Sequence, residues 1–230
     1  MTRRPSNFAV ALGAASLAAL AGLPACGGSG MSAQAPACEE RDGLVCNPAG
    51  FPSVKRATAV TDYCFGTDAT TCPATTIPPA GSTTARLSQP AAGKLCMAGT
   101  AAPDGWALMG LRFYDTRNAD GTVETSFHPV EAGIAAFAVT IDSPPSGGIF
   151  PSTYGGNHYQ LASAPGVWVA VTTPGALTVP LSGFVSDDDS SVAVAPDDVQ
   201  SFGFDVGPGD YDFCVHDFKF LDAAGNAVTP

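Results

Sequence analysis

From about residue 94 onward, apolar residues recur at every second position in short runs, a spacing that predicts strands. In 105–115, Met109, Leu111 and Phe113 share one face. Phe137, Val139 and Ile141 do so in 135–142, Val167, Val169 and Val171 in 167–171, and Phe202, Phe204 and Val206 in 201–206. Side chains alternate across a strand, so these four sets are expected to line the interior of a two-sheet sandwich. Gly, Pro, Asp and Ser separate the runs, and no stretch keeps a helical apolar period. The expected domain is all-β, covers residues 91–222 and leaves a C-terminal tail at 223–230.

The opposite parity singles out other residues. Trp106, Arg112 and Tyr114 fall off the core face of the first strand, and Trp168 falls off that of the third. Around 157–162 the alternation leaves either His158 and Gln160 or Tyr159 and Leu161 outward, and the polar pair is the expected choice. In 211–221 the apolar set changes sides: Tyr211, Phe213 and Val215 share one parity, Phe218 and Phe220 the other. A bulge at His216 and Asp217 is the simplest account. Cys214 then projects away from the Tyr211–Val215 face, where a neighbouring first strand would present Cys96.

Before residue 91 the composition differs. Residues 26–90 are rich in Gly, Ala, Pro, Thr and Ser, with PATTIPPAGSTTA at 73–85, and are expected to form a largely irregular tether. Ahead of it, Arg3 and Arg4 precede an uncharged apolar run over residues 8–25, the pattern of a secretory signal peptide. Export suits the seven cysteines. Cys38 with Cys46 and Cys64 with Cys72 have the same local spacing, which suggests two small disulfide loops and leaves Cys96 to pair with Cys214. The whole chain has a formal net charge of −11, and loss of the two signal arginines makes it −13. That excess disfavours nucleic acid as a partner.

Two resemblances sharpen the reading. The signal ends in LPAC, Leu23 to Cys26, followed by GGSG, and resembles the signal of bacterial lipoproteins. The resemblance implies acylation of Cys26, a membrane anchor, and delivery to the outer membrane facing the periplasm or the cell surface. LCMAGTAAPDGW (95–106), TVPLSGF (178–184), APDDVQSFGFDV (195–206) and YDFCVHDFKF (211–220) together resemble bacterial carbohydrate-binding modules of the galactose-binding-like jelly-roll type. That implies a two-sheet jelly roll, polysaccharide or glycan held on a concave sheet, and a possible structural calcium with Asp217 as the matching ligand. The usual acidic ligand from the first strand has no counterpart in 86–98.

Residue chemistry agrees with a sugar site. A pyranose has a face of C–H groups that an aromatic ring covers, while amide, guanidinium and imidazole groups bond its hydroxyls. Trp106, Tyr114 and Trp168 with Arg112, His158 and Gln160 supply that mixture. Enzymatic signatures are lacking: there is no G-x-S-x-G or H-E-x-x-H, and His128, His158 and His216 are scattered. The expectation is a non-catalytic binding protein. The alternative is a surface protein whose sandwich serves adhesion or assembly through protein contacts.

Overall fold

The structure, a computed structural model, describes residues 43–61 and 83–230 except for 104, 118–122, 126, 130, 155–157, 165, 188, 190 and 196–198. Cys26, Cys38, Cys64, Cys72 and the signal region lie outside the described residues. Strands β1 (Leu44–Cys46), β2 (Arg56–Thr61), β3 (Thr84–Ala91), β4 (Lys94–Ala101) and β5 (Ala107–Arg112) come first. A short ribbon follows, β6 (Tyr114–Arg117) with β7 (Val123–Thr125). Then come β8 (Ala136–Asp142), β9 (Ile149–Tyr154), β10 (His158–Ala164), β11 (Val167–Trp168) and β12 (Gly175–Pro180). The chain closes with β13 (Phe184–Ser186), β14 (Ser201–Val206), β15 (Gly209–Leu221) and β16 (Ala227–Val228).

The larger sheet has the order β1-β2-β5-β14-β9-β10-β11, with β13 also on β10. The smaller runs β12-β8-β15-β4-β3, with β16 on β15. Within them, β4-β15-β8-β12 face β5-β14-β9-β10. Followed in chain order, every connection among these eight strands except β9 to β10 crosses between sheets. That winding makes the sandwich a jelly roll.

The predicted alternation packs its interior. Met109, Leu111, Phe113, Phe137, Val139, Ile141, Phe202, Phe204 and Val206 are all buried. Phe137 stacks on Phe202 at 4.5 Å between ring centroids, and Phe113 lies 4.3 Å from Phe127. The bulge also occurs where the parity changes: the β15–β8 register shifts between His216 and Lys219, and Asp217 takes φ 55°. The shift returns Phe218 and Phe220 to the core. The expected valine strand is different. Val167 is 53% exposed, and only Val169 and Val171 pack partly against the core, because this segment sits at the margin of the larger sheet.

The tether boundary needs a larger correction, since the sandwich begins well before residue 91. β2 pairs with β5 from Arg56↔Arg112 to Thr61↔Ala107, and β3 pairs with β4. Phe51, Val54, Ala57 and Leu87 enter the core. These strands are rich in Thr and Ala, so they carry little hydrophobic signal, yet Thr suits a pleated surface. Pro90 falls where the β3–β4 register shifts, on the edge strand, a place where a missing N–H is tolerated. The loop before β2 is tied to the β3–β4 turn. Gln89 Nε2 donates to Ala49 O at 2.8 Å, Gln89 Oε1 accepts from Ala49 N at 3.2 Å, and Gly93 N donates to Ala49 O at 2.6 Å. The tail is partly structured too, with β16 pairing along Phe220 and Leu221.

Cys96 and Cys214 are directly opposed on β4 and β15 and form a disulfide, with Cα atoms 4.0 Å apart. Cys46 is also disulfide-bonded.

Candidate functional site

The two sheets present different outer faces. On the smaller sheet, the outward positions of β4 and β15 hold Lys94, Cys96, Ala98 and Thr100 beside Asp210, Asp212, Cys214 and His216, which are small or charged. The larger sheet faces outward with aromatics and a polar network. Pairing sets Arg112, Ser201, Tyr154 and His158 in one row across β5, β14, β9 and β10. The next row holds Gly110, Gly203, Ser152 and Gln160. A third brings together Leu108, Asp205 and Phe150.

Asp205 is the hub. It is fully buried, and its carboxylate accepts from Tyr154 Oη at 3.3 Å and Gln160 Nε2 at 3.1 Å, with His158 Nε2 at 3.4 Å. On the other side of the imidazole, His158 Nδ1 pairs with Asp187 Oδ2. The Tyr154 ring packs on the imidazole at 4.3 Å between centroids. Burial alone would discharge His158, but the bonds to Asp187 and Asp205 outweigh it and raise its pKa to about 9. Burial, with the Asp205 charge added, pushes the Tyr154 phenol far above its ordinary value, so it remains a donor. Gly203 lets the neighbours close over the sheet: a Cβ there would lie 2.5 Å from Ser152 Oγ and 2.7 Å from Leu108 Cδ1.

The sequence-selected residues all belong to this side of the molecule, but not to one open platform. His158 and Gln160 come together in the network. Trp106, half-buried just before β5, meets Phe150 edge-on at 5.7 Å, and half-buried Trp168 pairs with Ala162 at the opposite margin. Arg112 Nε donates to Thr58 Oγ1 at 3.1 Å, and its Nη1 donates to Tyr114 Oη. Tyr114 corrects the expectation of an outward ring: it is 4% exposed, with the Arg112 guanidinium 5.5 Å from its ring centroid. Sequence reasoning passed over Tyr154, Phe150, Asp187 and Asp205. Parity could have found three of them, since Phe150 and Tyr154 alternate away from Ile149 and Pro151, and Asp205 alternates away from Phe204 and Val206. Asp187 sits in an acidic run that reads as solvated loop.

Asp217 does not fit a calcium site. Its carboxylate is exposed on the bulge and bonded to His216 Nδ1 at 2.9 Å. His216 Nε2 reaches Asp142 Oδ1 at 3.3 Å, and Lys94 Nζ donates to Asp142 Oδ2 at 2.8 Å. The Lys94 bond, with His216 beside it, holds the Asp142 carboxyl below its ordinary pKa. Lys94 and His216 engage carboxylate oxygens that a hard cation would need free. Among the described residues, no group of three or more His, Cys, Asp or Glu side chains is placed to hold a metal ion.

No protein-family model and no curated protein matches the chain. Two solved structures are similar. One is the family 11 carbohydrate-binding module of the cellulosomal cellulase Lic26A-Cel5E of Clostridium thermocellum, at 11% identity over 80% of this chain and 97% of that one, with a TM-score of 0.45. The other is the family 11 module from Clostridium thermocellum in complex with a β-1,3-1,4-mixed-linked tetrasaccharide, at 11% identity over 73% and 89%, with a TM-score of 0.44.

Proposed function

We propose that the protein binds polysaccharide, without catalysis, on the outer face of the larger sheet. The observation that carries this reading is the fixed network of His158, Gln160, Tyr154 and Asp187 around Asp205, flanked by Trp106 with Phe150 on one side and Trp168 on the other. Orientation is what such a network supplies. Aromatic edges and faces cover sugar C–H groups, and side chains locked by one another meet hydroxyls with little ordering cost on binding. Asp205 acts as an organiser. It is engaged by three neighbours and shut from solvent, which suits holding side chains better than moving protons.

The test is retention of the exported chain on insoluble polysaccharides, with thermal melting measured alongside. Trp168→Ala should lose retention and melt with the wild type. Phe204→Ala should lose stability first, by about 3–5 kcal/mol, because a fully buried ring leaves a cavity. Retention by Trp168→Ala, or its melting as early as Phe204→Ala, counts against the site.

The same reading places the sandwich on a bilayer through acyl chains on Cys26, since several chains on one residue anchor a protein that one would hold only marginally. Mass spectrometry of the mature protein should find a lipidated N-terminal Cys26, and Cys26→Ser should release the protein or stall its processing. An unmodified mature chain starting elsewhere contradicts the anchor.

A further inference from the structure

The outer row that ends at His158 begins, on its far side, with two arginines. Arg56 on β2 and Arg112 on β5 are directly opposed, and because Ala57 and Leu111 turn inward, both side chains stand on the outer face of the larger sheet. Both are half-buried and reachable from solvent. Like charges directly opposite on neighbouring strands destabilise a sheet, since their Cβ atoms lie about 5 Å apart. Lys55 adjoins the pair in sequence. These are three of ten basic residues in a chain with 21 acidic ones, yet none of them forms an ion pair among the described residues.

Acids of the same face are placed elsewhere. Asp205 is four residues along β14 from Ser201, the neighbour of Arg112, or roughly 13 Å at the usual rise, and it is engaged by Tyr154 and Gln160. Asp187 is bonded to His158, which stands three strands from Arg112, roughly 14 Å at the usual strand spacing. Arg112 is also held in place. Its Nε donates to Thr58 Oγ1 at 3.1 Å, its Nη1 donates to Tyr114 Oη, and its guanidinium lies 5.5 Å from the centroid of the Tyr114 ring. Two of its five N–H groups are used, and the three that remain are on the two terminal nitrogens. They form the fork that grips a carboxylate through two parallel bonds.

We infer that the sugar unit held over Arg56 and Arg112 is a uronic acid whose carboxylate both guanidinium groups bind, an inference that rests on the glycan-binding reading above. A carboxylate between the two cations turns their repulsion into two attractions, and it is planar, as the fork requires. A hydroxyl accepts a hydrogen bond but leaves both charges uncompensated, and an amino sugar is repelled. The acidity of the whole chain does not reverse this preference, because charges more than about 8 Å away are largely screened at physiological ionic strength. Arg112 is fixed before the ligand arrives, so little side-chain freedom is lost on binding.

Calorimetry on the exported chain at physiological ionic strength and neutral pH decides this. The probes are polygalacturonate, alginate and glucuronoxylan, each beside its carboxyl-reduced counterpart of the same linkage and length, with dextran sulfate as a further polyanion. At least one acidic polymer should bind roughly tenfold more tightly than its reduced counterpart, about the contribution of one charge-assisted hydrogen bond. The wild-type ratio is the primary readout and needs no variant. Arg56→Gln should bring it toward unity. Arg86→Gln, which removes the same charge from an exposed position on the other sheet, should keep it. Equal or weaker binding of every acidic polymer overturns the inference, as does a preference that Arg86→Gln lowers as much as Arg56→Gln. Equally tight, Arg56-dependent binding of dextran sulfate assigns the pair to a sulfate ester and overturns the carboxylate. Neutral polymers that bind without any such preference leave the glycan site standing and sink the uronic acid alone. Binding of no polysaccharide at all sinks both.

Discussion

His158 holds its proton between Asp187 and Asp205, and the sign of that linkage can be worked out. Its folded pKa, about 9, lies above the ordinary 6.5, so the folded state binds the proton more tightly than the unfolded chain does. The contribution to stability is therefore complete below about pH 6.5 and is lost as pH climbs through about 9. Melting curves from neutral to alkaline pH should show wild type losing more than His158→Gln, with the two converging; parallel losses would contradict the pairing. One strand away, Gly203→Ala should cost about 1–3 kcal/mol, because its Cβ would press on Ser152 and Leu108 in a packed layer. Denaturant titration reads this directly. At this scale, the side on which a residue lies was legible from alternation, as Met109, Phe137 and Phe204 show. Which outward side chains meet was not. Tyr114 and Trp168 share a sheet face by parity, yet an arginine closes over one and the other stays at the margin.

Among the elements, β2 and β3 were hidden and β15 was plain. β15 announces itself through alternating Tyr, Phe and Val and through the parity break at its bulge, a signal that local sequence carries in full. β2 and β3 owe their place to β5 and β4, and an Ala- and Thr-rich segment does not show in advance which strands will accept it. The contact before β2 gives a test of this attachment. Gly50 has φ +79°, and a Cβ there would lie 2.5 Å from Gly93 N. Gly50→Ala should therefore destabilise by about 1–3 kcal/mol, since backbone on the far side cannot yield as a flexible side chain would. A smaller change would mean that the loop is only loosely held against the β3–β4 turn.

For the whole molecule, a two-sheet sandwich was legible from alternation and its jelly-roll winding only through the resemblance to carbohydrate-binding modules, while the start of the domain was not legible. A fragment beginning at residue 91 lacks β1, β2 and all but the last residue of β3, and so exposes the flanks of β5 and β4. It should fail to show a cooperative melt that the longer chain gives; a cooperative melt at the same temperature would mean that the three added strands are dispensable. The Cys96–Cys214 bond reaches across the same architecture, joining residues 118 apart in sequence on the first and last strands of the eight. Trp106, Phe150, His158, Trp168, Asp187 and Asp205 all fall inside the segment that it closes. A protease cutting any surface loop between residues 96 and 214 therefore yields two pieces that stay covalently joined until a reductant reaches the bond, so a nicked molecule keeps the outer face of the larger sheet on one particle.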